Sequence, residues 1–428
     1  MPPAPRLDRS SWPVAPRPVR IVHVGLGNFS RAHLARYTAA TDRAGEWGIS
    51  AFTGRRPGLA AALERQQGLY TLIERGPVRD RLQVVESLSE AHPGGELATL
   101  TERLAAPRTA VLTLTVTEAG YRPPAVAERA TAGADPGLPT VGKRLAAGLV
   151  ERHRRGHGPL ALVSLDNLHG NGDVLRELVL EALAGIDPVA ARWAARELSF
   201  VGTSVDRITP PASEAERALV ERELGLYDEA PVVCEPFSDW VLCGEFPAGR
   251  PAWEHAGARF VADIEPWERR KLWLLNGGHS LLAYLGLGRG HATVAQAAAD
   301  RDVAAALERF WDLAAALLPG GERLELDAYR AALRERFAND RIGYPLLQVA
   351  TDGLDKLRNR VVPVIVAARA VGFATHAAAV VVDAWARWLI DDPARAASDQ
   401  NGERLRLALD ASGDDARRGL LELLEVSN

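Results

Sequence analysis

The first half of the chain alternates short β-branched runs with helical stretches, and this alternation constrains the fold more than any other feature. The first run, Val19-Arg-Ile-Val-His-Val24, ends in Gly25-Leu-Gly27, and a helical pattern follows over residues 30–44. Further strands are predicted at 49–53, 110–117 and 160–165, with helices at 59–66 and 173–183. Strands that alternate with helices form βαβ units, so we expect an α/β, doubly wound, parallel sheet of Rossmann type.

From residue 265 onwards the pattern changes to helix alone. Helices are predicted at 266–285, 294–318, 326–337, 361–371, 376–391 and 404–425. A chain of 428 residues is long enough for two or three domains. We therefore predict a Rossmann-type NAD(P)-binding domain over residues 1–264 and a mostly α-helical substrate and catalytic domain over residues 265–428.

The composition excludes several classes of protein. The net charge is only −4 and no basic stripe occurs, so neither a nucleic-acid nor a membrane-surface partner is expected. No run approaches the length of a membrane span, and the N-terminus lacks the apolar core of a signal peptide. The two cysteines, Cys234 and Cys243, have no zinc-ligand spacing. We expect a cytoplasmic protein without a metal, monomeric or weakly homo-oligomeric.

The turn after the first strand predicts a dinucleotide site. Gly25 and Gly27 stand where a pyrophosphate needs close backbone approach and a helix N-terminus. Asn28 and Phe29, which begin the helix, are assigned to the same site. Ser30 occupies the position of the third glycine of the full fingerprint. A tight turn without a ligand would have the same letters.

The choice between NAD and NADP stays open. The second strand ends in Thr-Gly-Arg-Arg-Pro at 53–57, without the acid that binds the adenosine ribose of NAD. Arg55 and its neighbour Arg56 suit a 2′-phosphate, although a solvated pair is an equal alternative. Glu118, directly after the strand predicted at 110–117, is assigned to the cofactor site.

The segment from Glu265 to Tyr284 is the richest in reactive side chains. On an α-helix Glu268 lies one turn before Lys271, while Asn276 lies ~140° and His279 ~80° around from that lysine. A buried amine can remove the proton of a secondary alcohol, and amide donors can hold the developing alkoxide. Taken singly, these residues also suit a solvated lysine, a polar spacer and a core histidine.

Polar side chains also follow the predicted strands. Asn167 comes after the strand at 160–165, and Asp206 with Arg207 follows a later one. Ligands of doubly wound folds bind at the carboxyl ends of strands. An internal ion pair between Asp206 and Arg207 is the alternative interpretation.

The chain resembles the mannitol dehydrogenase family of polyol-specific long-chain dehydrogenases from about residue 22 to at least residue 363. The pattern Lys-x4-Asn-x2-His at 271–279 is the family signature. The matching blocks are GLGNFSRAH (25–33), QGLYTLIER (67–75), TVTEAGY (115–121), SLDN with NG (164–172), VDRITP (205–210), EPFSDWV with GRPAWEHAGARFV (235–261) and KLWLLNGGHSLLAYLG (271–286).

The resemblance implies metal-independent hydride transfer between NAD(P) and a secondary alcohol of an acyclic polyol or sugar acid. Lys271 resembles the general acid/base, and Asn167 and Asn276 resemble the oxyanion-stabilising pair. His279 and Asp206 resemble substrate-orienting groups. The remaining member of the set, Glu268, resembles a proton-relay carboxylate.

The substrate is the least determined part of this resemblance. Gln348 stands where mannitol enzymes carry an arginine, eight residues before Lys356. This variant, with Arg360 four residues after the lysine, resembles the mannonate/fructuronate oxidoreductases. Arg360 or Lys356 would then pair with a substrate carboxylate. A polyol, its ketose and a sugar acid all remain open, as do a mannitol-1-phosphate 5-dehydrogenase and a non-catalytic member that only binds a sugar or dinucleotide.

Overall fold

The computed structural model describes residues 4–42, 44–54, 57–116, 118–121, 139–410 and 413–425. The chain divides into two compact units, Met1–Ile264 and Glu265–Asn428. The first unit contains both sheets and the second is helical. Among the described residues, no helix has the length and apolar character needed to cross a membrane.

The strands of the first unit form two sheets. In chain order the strands are β1 Val19–Val24, β2 Gly48–Phe52, β3 Tyr70–Arg75, β4 Asp80–Val85, β5 Leu88–His92, β6 Val111–Leu114, β7 Ala161–Ser164, β8 Ser199–Asp206, β9 Val232–Cys234, β10 Asp239–Cys243 and β11 Arg259–Phe260. The larger sheet has the order β11-β10-β8-β7-β6-β1-β2-β5. All its neighbouring strands are parallel except β8 and β10. The α/β doubly wound prediction is therefore confirmed.

Helices cover both faces of the larger sheet, so its central strands are apolar on both sides. In β1, Ile21 packs into one core cluster, whereas Val22 and Val24 pack into the other. This two-sided burial explains the near-continuous apolar runs of the sequence. The helices of the first unit are Asn28–Ser30, Arg31–Ala35 and Arg36–Thr41, which follow one another without a break, then Gly58–Arg65, Leu97–Ala105, Val141–Arg154, Asn171–Ala184, Pro188–Glu197 and Glu214–Leu224.

The smaller sheet was not expected from the strand pattern. It has the order β4-β3-β9, with β3 antiparallel to β4 and parallel to β9. The strands β3 and β4 are consecutive, but β9 lies about 150 residues further along the chain and has only three residues. The pairing of β3 with β9 leaves no local signal, because register and neighbour are decided by packing.

The second unit contains more and shorter helices than the sequence predicted. They are Glu265–Arg270, Lys271–Asn276 and Gly277–Gly288, which are contiguous, then Val294–Ala299, Arg301–Leu317, Leu326–Phe337, Leu346–Ala350, Gly353–Arg360, Val362–Ala370, His376–Asp391, Gly402–Leu409 and Asp414–Leu423. The predicted helix 294–318 is divided at Asp300, whose carboxylate caps the second part by accepting the N–H groups of Asp302 and Val303. The predicted helix 404–425 is likewise two helices, and Gly413, with φ +57°, precedes the second.

Candidate active site

The two glycines after β1 are required for different reasons. Gly25 has φ +109°, and a Cβ there would lie 2.0 Å from the carbonyl oxygen of Thr115. Gly27 is extended, with φ −154°, and a Cβ there would meet nothing closer than 3.7 Å. Neither backbone nor packing thus requires glycine at position 27. The absent side chain leaves space at the N-terminus of the helix that begins at Asn28, which fits the close approach of a pyrophosphate.

The first residues of this helix hold one another in place. The Asn28 side-chain oxygen accepts a hydrogen bond of 2.9 Å from the guanidinium of Arg31, which is buried. The Phe29 ring stacks on His33, with ring centroids 4.9 Å apart. Both predicted cofactor residues therefore have contacts within the first unit that fix the start of the helix.

Two of the predicted cofactor residues have only limited structural description. Arg55 lies outside the described residues, and only the backbone of Glu118 is described, in the turn Glu118–Tyr121. The acid that precedes β2, Asp42, accepts the backbone N–H of Trp47 at 2.7 Å and pairs with Arg17 at 3.1 Å. It stabilises the turn into β2.

Asn171 braces the loop that carries Asn167. Its buried amide donates to the carbonyl oxygens of Asp166 at 2.9 Å and Thr203 at 2.8 Å, so it connects the ends of β7 and β8. Asn167 itself is exposed in this loop. Sequence reasoning placed Asn171 in a matching block but assigned it no role, because a brace between two strands has no local signature.

Asp166 holds the same loop from the other side. Its carboxylate accepts the Val116 N–H at 3.1 Å and the Tyr121 hydroxyl at 2.7 Å. Burial, together with the Asp166 charge, raises the pKa of Tyr121, so this hydroxyl stays protonated as a donor. The ends of β6 and β7 are therefore tied together beside Asn167.

Asp206 ends β8 and lies opposite Asp239 in the register with β10. It is buried, with 8% of its surface exposed. The Arg207 guanidinium pairs with Glu74 at 2.7 Å and donates to the Ala32 carbonyl at 2.7 Å. The alternative interpretation, an ion pair between Asp206 and Arg207, is wrong, because among the described residues the Arg207 guanidinium pairs with Glu74 of β3 instead.

The helix that carries the predicted proton-transfer group is not a regular α-helix. It consists of Glu265–Arg270, a π-helical segment Lys271–Asn276 and Gly277–Gly288, and is called the Lys271 helix below. The Gly277 N–H donates to the Leu272 carbonyl five residues earlier. A π turn contains more residues than an α turn, so Asn276 lies nearer to the face of Lys271 than the predicted ~140°.

All four predicted residues of this helix are buried. The exposed fractions are 6% for Glu268, 9% for Lys271, and 8% for both Asn276 and His279. Lys271 is therefore not a solvated surface lysine. A buried amine needs a functional or structural reason, because burial of an ammonium group costs free energy unless it is compensated.

The glycine pair of this helix accommodates two aromatic side chains. A Cβ on Gly277 would lie 2.8 Å from the Phe310 ring, and one on Gly278 would lie 3.1 Å from Trp311 Nε1. The Trp311 indole N–H donates to the Leu274 carbonyl at 2.8 Å. In the structure the two glycines admit the aromatic rings that hold the π turn.

The side chains of Asn276 and His279 have polar groups that make no hydrogen bond to the described residues. Across the described part of the chain, the Asn276 side-chain amide makes no hydrogen bond, whereas its backbone carbonyl accepts the Ser280 hydroxyl at 3.2 Å and Arg360 Nη1 at 3.5 Å. His279 Nε2 is buried and has no partner among the described residues, while its ring packs on Phe337 with centroids 4.8 Å apart. These two groups can hydrogen-bond a ligand.

Two further predicted residues lie together on the helix Gly353–Arg360. Lys356 Nζ donates to the Val349 carbonyl at 3.1 Å and the Thr351 hydroxyl at 3.3 Å. Burial, followed by the charge of Arg360, lowers the pKa of Lys356 to about 8. Burial also lowers the pKa of His279 well below its usual value, and the charges of Lys356, Arg360 and Arg336 add to this effect. The imidazole of His279 is therefore neutral.

Gln348 lies on the short helix Leu346–Ala350 and is exposed. Its backbone carbonyl accepts the Thr351 hydroxyl at 2.9 Å, and its side chain makes no hydrogen bond within the described ranges. No cluster of three or more His, Cys, Asp or Glu side chains that would suit a metal ion occurs among the described residues.

The fold and these residues define a two-unit chain with a Rossmann-type first unit and a helical second unit that carries a buried Lys-Asn-His set. Two family models match it, the mannitol dehydrogenase Rossmann domain over residues 19–255 and the mannitol dehydrogenase C-terminal domain over residues 263–424. The chain belongs to the mannitol dehydrogenase family. The predicted resemblance and the prediction of an oxidoreductase are confirmed.

Relatives of known activity agree with this assignment. D-Mannonate oxidoreductase of Escherichia coli (strain K12) is 36% identical over 373 residues, which are 82% of this chain and 76% of that protein. D-Arabinitol 4-dehydrogenase of Ralstonia nicotianae is 35% identical over 415 residues, covering 89% and 86%. Pseudomonas fluorescens mannitol 2-dehydrogenase, solved as a ternary complex with NAD and D-mannitol, superposes with a TM-score of 0.79 at 32% identity and covers 100% of this chain and 90% of that one.

Proposed function

We propose that the protein catalyses NAD(P)-dependent oxidation of a secondary alcohol in an open-chain sugar derivative, and the reverse reduction, with Lys271 as general base and acid. The main observation in support is that Lys271, Asn276 and His279 are buried on one continuous helix. Within the described residues, Nε2 of His279 is buried without a hydrogen-bond partner, and the side-chain amide of Asn276, a residue that is 8% exposed, makes no hydrogen bond. Unused buried polar groups beside a buried amine are typical of a site built for a ligand.

The reaction consists of a hydride transfer and a proton transfer that occur together. The alcohol C–H bond breaks with its electron pair, and the O–H proton passes to Lys271 Nζ. The bound nicotinamide supplies the hydride acceptor. Amide donors from Asn276 and, by resemblance, Asn167 stabilise the negative charge that develops on oxygen. Neutral His279 hydrogen-bonds a substrate hydroxyl, as does Asp206, and Glu268 passes the proton from Lys271 to solvent.

We assign the cofactor site to the first unit. Gly27 supports this, because its missing side chain leaves room at a helix N-terminus. NAD in the complex of the related Pseudomonas fluorescens enzyme supports a nicotinamide dinucleotide of this kind. Parallel measurements of kcat/KM with NAD and NADP decide the cofactor preference. A ratio of the two values near one would indicate that the enzyme does not distinguish a 2′-hydroxyl from a 2′-phosphate.

Substitution of the lysine tests the proposal. Lys271→Ala, assayed by NADH formation with D-mannonate, D-mannitol and D-arabinitol, is expected to lower kcat by ~10²–10⁴-fold, because a general base typically contributes this much. Cofactor affinity, measured by NADH fluorescence, is expected to change little. Lys143→Ala removes an exposed lysine from a helix of the first unit and is the matched control. Undiminished turnover in Lys271→Ala would refute the assignment, and dinucleotide binding without turnover in the unaltered chain would favour a non-catalytic role.

A further inference from the structure

Arg31 is a buried cation that holds the start of the helix after β1. Only 3% of its surface is exposed. Its Nε donates to the Gly27 carbonyl at 3.2 Å, Nη2 donates to Asn28 Oδ1 at 2.9 Å, and Nη1 donates to the Ala230 carbonyl. The Tyr70 hydroxyl donates to the Arg31 carbonyl at 2.7 Å, so the side chain and the backbone of Arg31 are both fixed.

The contact with Arg31 determines which way the Asn28 amide faces. A guanidinium can only donate hydrogen bonds, so the amide atom turned towards it must be the oxygen. The amide nitrogen of Asn28 is therefore directed away from Arg31, and within the described residues it makes no hydrogen bond. Asn28 is half-buried and is the first residue of the helix after the turn at Gly25 and Gly27. The contact thus leaves an N–H₂ donor beside the turn assigned to the dinucleotide.

The turn itself has one backbone donor fewer to offer a ligand. The Gly27 N–H donates to the Ser30 hydroxyl at 3.0 Å, so it is used within the helix start. Ser30 stands at the position of the third glycine of the full fingerprint, and a glycine has no side chain that could accept this bond. The free N–H₂ group of Asn28 offers a replacement donor on the next residue.

Arg31 forms no ion pair among the described residues. The charge of Asp228 acts on it, but this buried carboxylate accepts three other donors. They are the Gln66 amide at 2.9 Å, the Thr71 N–H at 2.6 Å and the Ala230 N–H at 2.8 Å. A buried charge without a contacting counter-charge costs free energy. The same charge favours an anion bound at the turn, because charges interact more strongly in a buried environment than in water.

We propose that Arg31 is the positioning residue of the dinucleotide site, and that the Asn28 amide it orients donates a hydrogen bond to the pyrophosphate of the cofactor. The inference rests on the cofactor site proposed above and adds to it the roles of these two residues. Arg31 acts through Asn28 and through its charge, since its Nε and both Nη atoms already donate to oxygens of the chain. A side-chain amide at a helix start is a suitable donor to phosphate oxygens.

The first test measures NADH affinity by fluorescence titration. Asn28→Ala is expected to weaken binding by about 10-fold and Arg31→Gln by about 10- to 100-fold, the range for hydrogen bonds to charged groups. Because Arg31 acts through Asn28, the double variant should lose less than the product of the two single losses. Arg152→Lys is the matched control. Arg152 is also buried and donates to the Leu104 and Thr109 carbonyls at 3.0 and 3.1 Å, so this variant should lower stability without weakening NADH binding.

Asn28→Asp separates ligand binding from stability. An aspartate at this position would accept the bond from Arg31 with a full charge and suits a helix N-terminus, so the free energy of unfolding should not fall. It offers a phosphate no donor and adds a negative charge, so NADH binding should weaken more than in Asn28→Ala. In NADH displacement, the loss should appear for ADP, which contains the diphosphate, and not for adenosine. Undiminished ADP binding in both Asn28 variants, or single losses that simply multiply in the double variant, would overturn the proposal.

Kinetics distinguish this inference from the proposed reaction. Arg31→Gln should raise KM for the dinucleotide and leave kcat nearly unchanged, because Lys271 and Asn276 belong to the other unit. NADH binding that depends on Asn28 in a chain without turnover would sink the reaction and support the positioning role. Turnover with an unchanged KM for the dinucleotide in Arg31→Gln and Asn28→Ala would overturn the positioning role and leave the reaction intact. Asn28→Ala carries the test alone if Arg31→Gln fails to fold, since Asn28 is only half-buried.

Discussion

The indole N–H of Trp311 donates a hydrogen bond of 2.8 Å to the carbonyl of Leu274, inside the π-helical segment that begins at Lys271. A π turn is rare and changes the direction of every side chain that follows it. Because this bond and the two neighbouring glycines hold the turn, the geometry between Lys271 and Asn276 depends on a residue outside the signature.

Trp311→Phe removes this donor while keeping an aromatic ring. We expect the free energy of unfolding to fall by about 1–3 kcal/mol, since a buried carbonyl loses its partner. We also expect kcat to fall about tenfold or more, because a slight displacement of catalytic groups is costly. Trp253→Phe is the control: its indole donates to the Thr38 hydroxyl at 3.1 Å in the first unit, so stability should fall without a comparable loss of kcat. An unchanged kcat in Trp311→Phe would show that the bond is only structural.

Gly277→Ala tests the fit of the Lys271 helix to its neighbours. Helix propensity alone predicts that alanine stabilises the chain by up to about 1 kcal/mol. The added Cβ would lie 2.8 Å from the Phe310 ring, so we expect a destabilisation of about 1–3 kcal/mol in chemical denaturation. Gly288→Ala, at the end of the same helix with nothing within 4 Å, should be neutral or stabilising. A stable Gly277→Ala variant would contradict the packing argument.

The pKa of Lys356 predicts a pH dependence of substrate binding. Burial and the charge of Arg360 lower this pKa to about 8, while Asp352 and Asp399 oppose the shift. The ammonium is charged below that pH and neutral above it, so KM for D-mannonate should rise as pH increases through about 8. Lys356→Arg stays charged and should flatten the KM profile, and a KM for D-mannonate that does not vary across this range in the unaltered enzyme would contradict the prediction.

His23 predicts an acid-sensitive first unit. It is buried in β1, with Nδ1 2.8 Å from the Thr113 hydroxyl and Nε2 3.2 Å from that of Thr115. Burial lowers its pKa from 6.5 to about 4. Between these values the unfolded chain binds a proton that the folded chain does not, so the free energy of unfolding should fall as pH drops from about 6.5 to 4, by up to about 3 kcal/mol. His23→Gln should remove this part of the slope in denaturation curves, and an unchanged slope would exclude His23 as its cause.

The sequence predicted those parts of the fold whose determinants are local. The run at 19–24 is apolar on both faces because β1 is covered on both sides, and the glycines after it follow from the turn itself. The helices Leu326–Phe337 and His376–Asp391 were predicted with their observed bounds, since their apolar stripes and ends lie within the segment. The smaller sheet was missed, and its pairing of β3 with the distant strand β9 has no local signal in the sequence.

By itself, the sequence determined the fold class, the family and the candidate reactive set of Lys271, Asn276 and His279, because each is expressed in a contiguous pattern. Tertiary structure decided how that set is presented. The π turn depends on Trp311 and Phe310 packing against two glycines, and the position of the His279 ring depends on its packing against Phe337. Both are properties of contacts between segments distant in the chain, which periodicity and spacing do not encode.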